Sequence, residues 1–258
     1  MPGFAFSRPH TAAVLPFPEL AGLSLTGAIT SRVVLRADRP LHLWTHELAT
    51  GACIHAAASP VAHSFFVLEG NLRAGERTLA AGSAVLLEHQ GSINLEALHA
   101  TRVLHVFRPV AHPDRPTRRG GGVHLIGPAG SYGSRGPHPV VMYGDSTCPR
   151  CEIWLHRTAF GPNRQGGAHR HDADEILYVL QGSAVIGRDE LPAGSALAVD
   201  AHTAYRLNSG PDGLVALNFR MNDPSYQALP RDGSVVPQVK DLEVIRERLA
   251  REGMAARD

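Results

Sequence analysis

The sequence predicts an all-β chain built as two tandem β-barrels. Three observations carry that prediction: the chain repeats itself, glycines punctuate both copies at the same places, and the apolar runs are short. Without a gap, Gly70, Gly75, Leu79, Ala81, Gly82, Ser83 and Ala84 fall on Gly182, Gly187, Leu191, Ala193, Gly194, Ser195 and Ala196. The register extends to "VLEG" (67–70) on "VLQG" (179–182), and to Phe107 and Arg108 on Phe219 and Arg220. A unit of roughly 110 residues used twice is a repeat architecture.

The elements follow in chain order. Residues 1–30 are broken by proline and read as an N-terminal arm. Residues 31–111 hold "LHLWTHEL", "SFFVLEG", "SAVLLE" and "RVLHVFR", short apolar runs that read as the strands of a first barrel. Residues 112–138 include "HPDRPTRRGGG", whose Pro, Gly and Arg density reads as a linker with little regular structure. Its glycines form no GxxxxGK[ST] phosphate loop. Residues 139–225 hold "CEIWLHRTAF", "EILYVLQG", "SAVIG", "SALAVD", "TAYRLN" and "GLVALNFRM", the strands of a second barrel. Residues 226–258 form a tail. There Leu242, Val244, Ile245 and Leu249 fall roughly on one face of a helix over 241–254.

Composition narrows the function classes. A formal net charge of +1 gives no field that favours nucleic acid or an anionic membrane, and nothing reads as a helix-turn-helix. Lys240 is the only lysine and lies in the polar tail, which argues against a Schiff-base enzyme. No apolar run reaches the roughly 18 residues that a spanning helix needs. The first residues lack a basic region followed by an apolar core, so no signal peptide is read and the default compartment is the cytoplasm. Cys53, Cys148 and Cys151 are too few for a disulfide framework. "CPRC" (148–151) reads as two ordinary thiols, with a redox pair or an adventitious metal site as the alternative.

The chemistry concentrates in "GGAHRHDADEILYVLQG" (166–182). His169 and His171 have the same parity, so on a strand they point to one face, and Glu175 returns to that face after a short turn. Two imidazoles and a carboxylate with open positions suit a divalent ion such as Fe(II), Mn, Ni, Co or Zn. The bland reading is a polar surface turn, which three ligand types before an apolar strand make the weaker one.

The pattern H-x-H-x3-E-x6-G, as His169, His171, Glu175 and Gly182, resembles the first motif of the cupin superfamily. The run "LPAGSALAVDAH" resembles the start of its second motif, and the duplication resembles a bicupin. The resemblance covers roughly residues 35–225. It implies two jelly-roll barrels, with a metal ion in the mouth of the C-terminal one. In typical cupins a histidine of the second motif is a fourth ligand. Here Tyr205 takes that position and His202 lies three residues earlier. Three readings stay open: Tyr205 as a ligand or hydrogen-bond donor, His202 through a shifted turn, or three protein ligands only. The first copy departs from the motif altogether. Ala57, Ser59, His63 and Ile93 stand where His169, His171, Glu175 and Tyr205 stand in the second. That half reads as a structural barrel, with a rearranged site from His46, His55 and His63 as the alternative.

Leu177 and Val179 share Glu175's parity and are expected to line the pocket, with Arg220 a candidate for a substrate carboxylate. His156 is a candidate base with a stronger structural reading. The preferred function is a metal-dependent oxidoreductase of a small organic molecule, of the non-haem iron dioxygenase type, with Fe(II) favoured and Tyr205 donating a hydrogen bond or proton. The alternatives are a redox-neutral lyase, isomerase or decarboxylase, and a non-catalytic binding module. The expected partners are a small-molecule substrate and a second copy of the chain, with no nucleic acid and no membrane.

Overall fold

The computed structural model describes residues 3–20, 22–35, 40–88, 91–108, 122–133, 140–144, 153–221, 225–232, 234 and 239–240. The CPRC motif and the helix expected over 241–254 lie outside the described residues. Among the described residues the chain is strands, turns and one short 3-10 turn at Pro9–Thr11. It divides into two units, His10–Gly133 and Met1–Pro9 with Ser134–Asp258.

In the first unit, one sheet runs in the order Val123–Ile126, Ala84–Leu87, His63–Glu69, Thr101–Phe107, His42–Leu48, Ile29–Leu35 and Ala13–Val14. A second sheet runs Leu23–Thr26, Cys53–Ala56, Ile93–Ala97, Asn71–Ala74 and Arg77–Ala80. The period of two fixes which residues turn inward. In Cys53–Ala56, for example, Ile54 and Ala56 are buried and their neighbours are not. Ile54, Phe65, Val67, Leu72, Leu95 and Val103 meet in one apolar core.

In the second unit, Phe4–Ser7, Ala196–Val199, Glu175–Ile186, Asn208–Met221, Ile153–Phe160 and Val140–Met142 are consecutive neighbours in a sheet, and Asp189–Pro192 hairpins onto Glu175–Ile186. A small sheet joins His169–Arg170, Ser225–Ala228 and Val239–Lys240.

The backbone repeats along with the residues. Gly70 and Gly182 both have positive φ, +80° and +67°. Neither tolerates a Cβ: at Gly182 it would lie 2.1 Å from the Gly213 carbonyl oxygen, and at Gly70 2.5 Å from that of Ala100. The long strands carry the same bulge, since Leu68 is skipped in the ladder with Thr101–Phe107 and Leu180 in the ladder with Asn208–Met221.

Three expected boundaries move. Phe4–Ser7, expected in an N-terminal arm, pairs with Ala196–Val199 of the second unit. Val123–Ile126, expected in the linker, pairs with Ala84–Leu87. Ser225–Ala228, at the junction with the expected tail, pairs with the strand that carries His169. In each case a short segment completes a sheet edge, and such an edge leaves backbone groups that need partners.

Candidate functional site

His169 is placed by two neighbours. It pairs with Ala228 on one side and forms an antiparallel bridge to Tyr205 on the other. The His169 N–H donates to the Tyr205 carbonyl at 3.0 Å, and the Tyr205 N–H donates back at 2.9 Å. The imidazole and phenol rings therefore lie close, with centroids 4.4 Å apart. His171 shares the face, its ring 5.0 Å from that of His169. The turn at 172–174 is fixed by Asp174, whose Oδ1 accepts from the Ala201 N–H at 3.0 Å. Glu175 then opens a strand whose register sets it opposite Val199 and Arg220.

Glu175 is 1% exposed and Arg220 3%. The Tyr205 hydroxyl donates to Glu175 Oε2, and Asn218 Nδ2 donates to Oε1. Arg220 Nε lies 3.4 Å from Glu175 Oε1 and donates to Asn218 Oδ1 at 3.1 Å. Arg220 Nη1 stands 2.8 Å from His171 Nδ1. Burial pushes the Glu175 carboxyl up, but the charge of Arg220 and the Tyr205 hydrogen bond oppose it, and the group is held below its ordinary value.

Hydrogen-bond direction fixes the imidazole tautomers. The Gly167 carbonyl can only accept, so His169 Nδ1, 3.0 Å away, carries a proton, which in the neutral ring leaves Nε2 bare. A guanidinium can only donate, so His171 Nδ1 accepts, and in the neutral ring the proton sits on Nε2.

Of the residues expected at the site, His169, His171, Glu175, Tyr205 and Arg220 come together. Leu177 and Val179 are buried and pack with Tyr205, Leu207 and Ala216. His202 does not join as a ligand. Its side chain is exposed and its backbone has φ +64°, while its N–H donates to the His171 carbonyl at 2.7 Å. His202 thus shapes the turn through its main chain and turns its imidazole to solvent. His156 is a poor base, because its Nδ1 accepts from Trp154 Nε1 at 2.8 Å. Burial, then Arg220, push its pKa down to about 3 against an opposing pull from Glu175.

Three residues of the site have no counterpart among the sequence expectations. Asn218 bridges Glu175 and Arg220, Trp154 lies with its ring 5.8 Å from the Arg220 guanidinium, and Tyr226 stacks on His169 at 5.0 Å. The parity of "NFR" puts Asn218 and Arg220 on one face and is the available signal for the first. Tyr226 has none, since its strand reads in the sequence as the start of the tail.

The donor types fit a divalent ion: a bare imidazole nitrogen, a second imidazole and an ionised carboxylate on one face. Their present arrangement does not enclose one. Among the described residues no three His, Cys, Asp or Glu side chains are gathered closely enough to hold an ion. Arg220 stands against two of the three.

The first unit has a different cluster in the corresponding place. Ser31 Oγ, His46, His105 and His63 form a buried chain of hydrogen bonds, at 2.9, 3.1 and 3.0 Å. His55 is not part of it and bonds Thr26 and Asn94 instead. The ring of Phe17 rests on Trp44, His46, His105 and Phe107. This cluster is a string of neutral imidazoles, not a converging set of ligands.

No protein-family model matches the chain. Dimethylsulfoniopropionate lyase DddW of Ruegeria pomeroyi is 32% identical over 79 residues, 29% of this chain and 51% of that protein. The chain thus spans about half the length of that curated relative. Among solved structures, Ylba of E. coli superposes with a TM-score of 0.63 at 12% identity, over 84% of this chain and 90% of that one. A cupin 2 conserved barrel domain protein of Leptotrichia buccalis gives 0.53 at 13% identity, over 81% and 100%. Oxalate decarboxylase OxdC of Bacillus subtilis gives 0.58 at 14%, over 85% and 77%. At such identities the likeness is one of fold. The chain has the cupin fold, as two β-barrel units in tandem.

Proposed function

We propose that the chain is a metal-dependent enzyme that acts on a small organic carboxylate at its C-terminal barrel, by a redox-neutral lyase reaction. The observation that carries this reading is the buried Tyr205–Glu175–Arg220 cluster beside the His169/His171 pair. The local likeness to a lyase favours redox-neutral chemistry over the dioxygenase chemistry expected from sequence. His169, His171 and Glu175 are the residues that would hold the ion. When bound it supplies Lewis-acid polarisation of a substrate oxygen.

The chain's own groups divide the remaining work. Tyr205 holds a proton at its hydroxyl, and the negative Glu175 carboxylate that accepts its hydrogen bond disfavours the phenolate. That makes Tyr205 a hydrogen-bond and proton donor toward an oxyanion or leaving group, and a poor base. Arg220 supplies the fixed positive charge that favours an anionic substrate. Leu177, Val179 and Leu207 form an apolar wall, which strengthens these electrostatic terms by keeping water out.

The test begins with elemental analysis of protein purified without chelator or affinity-tag metal, beside His169→Ala. About one ion per chain, lost in the variant, supports the site. Turnover is then assayed with small carboxylates, dimethylsulfoniopropionate first, with and without oxygen. Activity that persists anaerobically supports a lyase. Activity that stops without oxygen restores the dioxygenase reading, and no bound ion after reconstitution leaves a binding module.

A further inference from the structure

We propose that Thr26, His55 and Asn94 form a nucleophile, a base and an orienting group on the outer face of the N-terminal barrel, and that this site hydrolyses small neutral esters through an acyl group carried on Thr26. The three residues belong to the first unit, and none of them takes part in the His169 cluster.

The period of two builds the site. In Leu23–Thr26, Cys53–Ala56 and Ile93–Ala97, the side chains of Leu25, Ile54 and Leu95 pack into the apolar core. Their neighbours along each strand therefore share the opposite face. The ladders set His55 level with Ser24 on one side and with Asn94 on the other, and Thr26 lies two residues along from Ser24. Diagonal neighbours of this kind are within reach of a long side chain. Thr26 Oγ1 stands 2.9 Å from His55 Nε2, and His55 Nδ1 stands 3.0 Å from Asn94 Oδ1.

Hydrogen-bond direction sets the roles. The Asn94 amide oxygen only accepts, so His55 Nδ1 carries a proton, and in the neutral ring Nε2 is bare. The Thr26 hydroxyl therefore donates to Nε2, which is the bond a nucleophile makes to its base. Asn94 holds the tautomer and the ring, the task of the third member of a catalytic triad. Cys53, opposite Thr26 in the ladder, donates its thiol proton to the Gly51 carbonyl at 3.4 Å instead. Beside the base opens a groove of about 820 Å³, lined by Leu23, Ser24, His55, Ile93 and Asn94 among others. Among the described residues no Asp, Glu, Lys or Arg lines it, which suits an uncharged substrate. Ser24 supplies a hydroxyl toward a carbonyl oxygen that becomes negative.

The reaction has two balanced halves. Thr26 Oγ1 bonds to the ester carbonyl carbon as its proton passes to His55 Nε2. The ester C–O bond then breaks, and the departing oxygen takes that proton and leaves as an alcohol. Water attacks the acyl carbon, gives a proton to Nε2, and the proton returns to Thr26 as the acid leaves. An ester suits this site better than an amide, because an alkoxide is the easier leaving group.

The full-length protein is given p-nitrophenyl acetate, release of p-nitrophenolate is followed, and acid-quenched samples are digested and mapped by mass spectrometry. Acetyl should appear on Thr26. Thr26→Val and His55→Gln should each lower the rate about a hundredfold, and Thr26→Ser should retain it. Asn94→Ala should lower it about tenfold, and Asn94→Asp, which still accepts from Nδ1, should restore it. Thr26→Val that hydrolyses at the wild-type rate overturns the nucleophile, as does acetyl trapped on Cys53 or on histidines and never on Thr26. A wild-type rate no higher than that of free imidazole at the same concentration overturns the site. Should a variant fail to fold, the acetyl mapped on the wild type decides alone.

Discussion

His63 holds, in the N-terminal barrel, the position that Glu175 holds in the C-terminal one. His63 pairs with Leu87 and Phe107, and Glu175 with Val199 and Arg220. The neighbours change with the central residue. Opposite Phe65, two residues along, stands His105, and opposite Leu177 stands Asn218. A buried carboxylate needs a cation and strong donors. A buried imidazole needs only a neutral partner, and there Phe107 replaces the arginine. One barrel thus carries a charged cluster and the other a neutral one, at matched register.

Tyr205→Phe removes the donor to Glu175 Oε2 and leaves the ring packing intact. Stability should fall by about 1–3 kcal/mol, the cost of a buried acceptor left unsatisfied. Bound metal should be retained, because Tyr205 is assigned a proton and not a coordination bond. Turnover should fall about a hundredfold with KM little changed, as for a lost proton donor. Steady-state kinetics and metal analysis on one preparation check this. Lost metal with the protein still folded would make Tyr205 a ligand instead.

Asn218 donates to Glu175 with its amide nitrogen and accepts from Arg220 with its oxygen. Asn218→Leu leaves both without that partner and should cost about 1–3 kcal/mol in urea unfolding. Asn218→Asp keeps the acceptor for Arg220 but sets a second carboxylate beside Glu175. It should raise the pH at which the protein acid-unfolds, because like charges raise a carboxyl pKa. Acid titrations of both variants separate these effects; identical midpoints would show that Asn218 does not govern the Glu175 charge.

The sequence disclosed the barrels because glycine and short apolar runs are local signals. It disclosed His169, His171, Glu175 and Tyr205 because all lie within one repeat. It misplaced Arg220 by pairing it with Arg108. In the structure, the ladder sets Arg220 level with Phe107, because the second copy has one more residue between Ser209 and Leu214, inside its last long strand. An ungapped comparison cannot see that insertion. Tyr226 was invisible for a related reason. It reaches the site by strand pairing across a long separation in sequence, in the strand beside His169. Edge pairing depends on where a sheet is left open, which no local pattern records.

Two glycines with the same backbone conformation should respond differently to alanine. Gly187 has φ +62° and no atom within 4 Å of the place a Cβ would occupy, so Gly187→Ala should cost about 1–2 kcal/mol, the ordinary left-handed penalty. Gly182 has φ +67°, and its Cβ would fall 2.1 Å from a backbone oxygen that cannot rotate away. Gly182→Ala should exceed about 4 kcal/mol and leave little soluble protein. Denaturant melts and soluble yield of the two variants check this. Equal costs would mean that the Gly182–Gly213 contact relaxes freely.

The histidine chain of the N-terminal barrel sets a pH dependence of stability. Burial pushes His46 down to about 3 and His63 to about 4; burial, with His63 and His46 beside it, holds His105 well below its ordinary value. In the unfolded chain all three titrate near 6.5. Below that pH the unfolded state binds protons that the folded state refuses, so stability falls as pH falls. The loss begins near 6.5 and continues until the folded-state values are reached, at about 3 to 4 for His46 and His63. Each neutral imidazole contributes a slope of about 1.4 kcal/mol per pH unit in that window. His63→Gln keeps a neutral hydrogen-bonding group beside His105 and removes one titrating site. Its stability should therefore fall less steeply than that of the wild type between about pH 6 and pH 5. Urea melts across that range, read from the fluorescence of Trp44 in a Trp154→Phe background, report on the N-terminal barrel. Parallel slopes for wild type and His63→Gln would show that His63 takes up its proton in the folded protein as readily as in the unfolded chain.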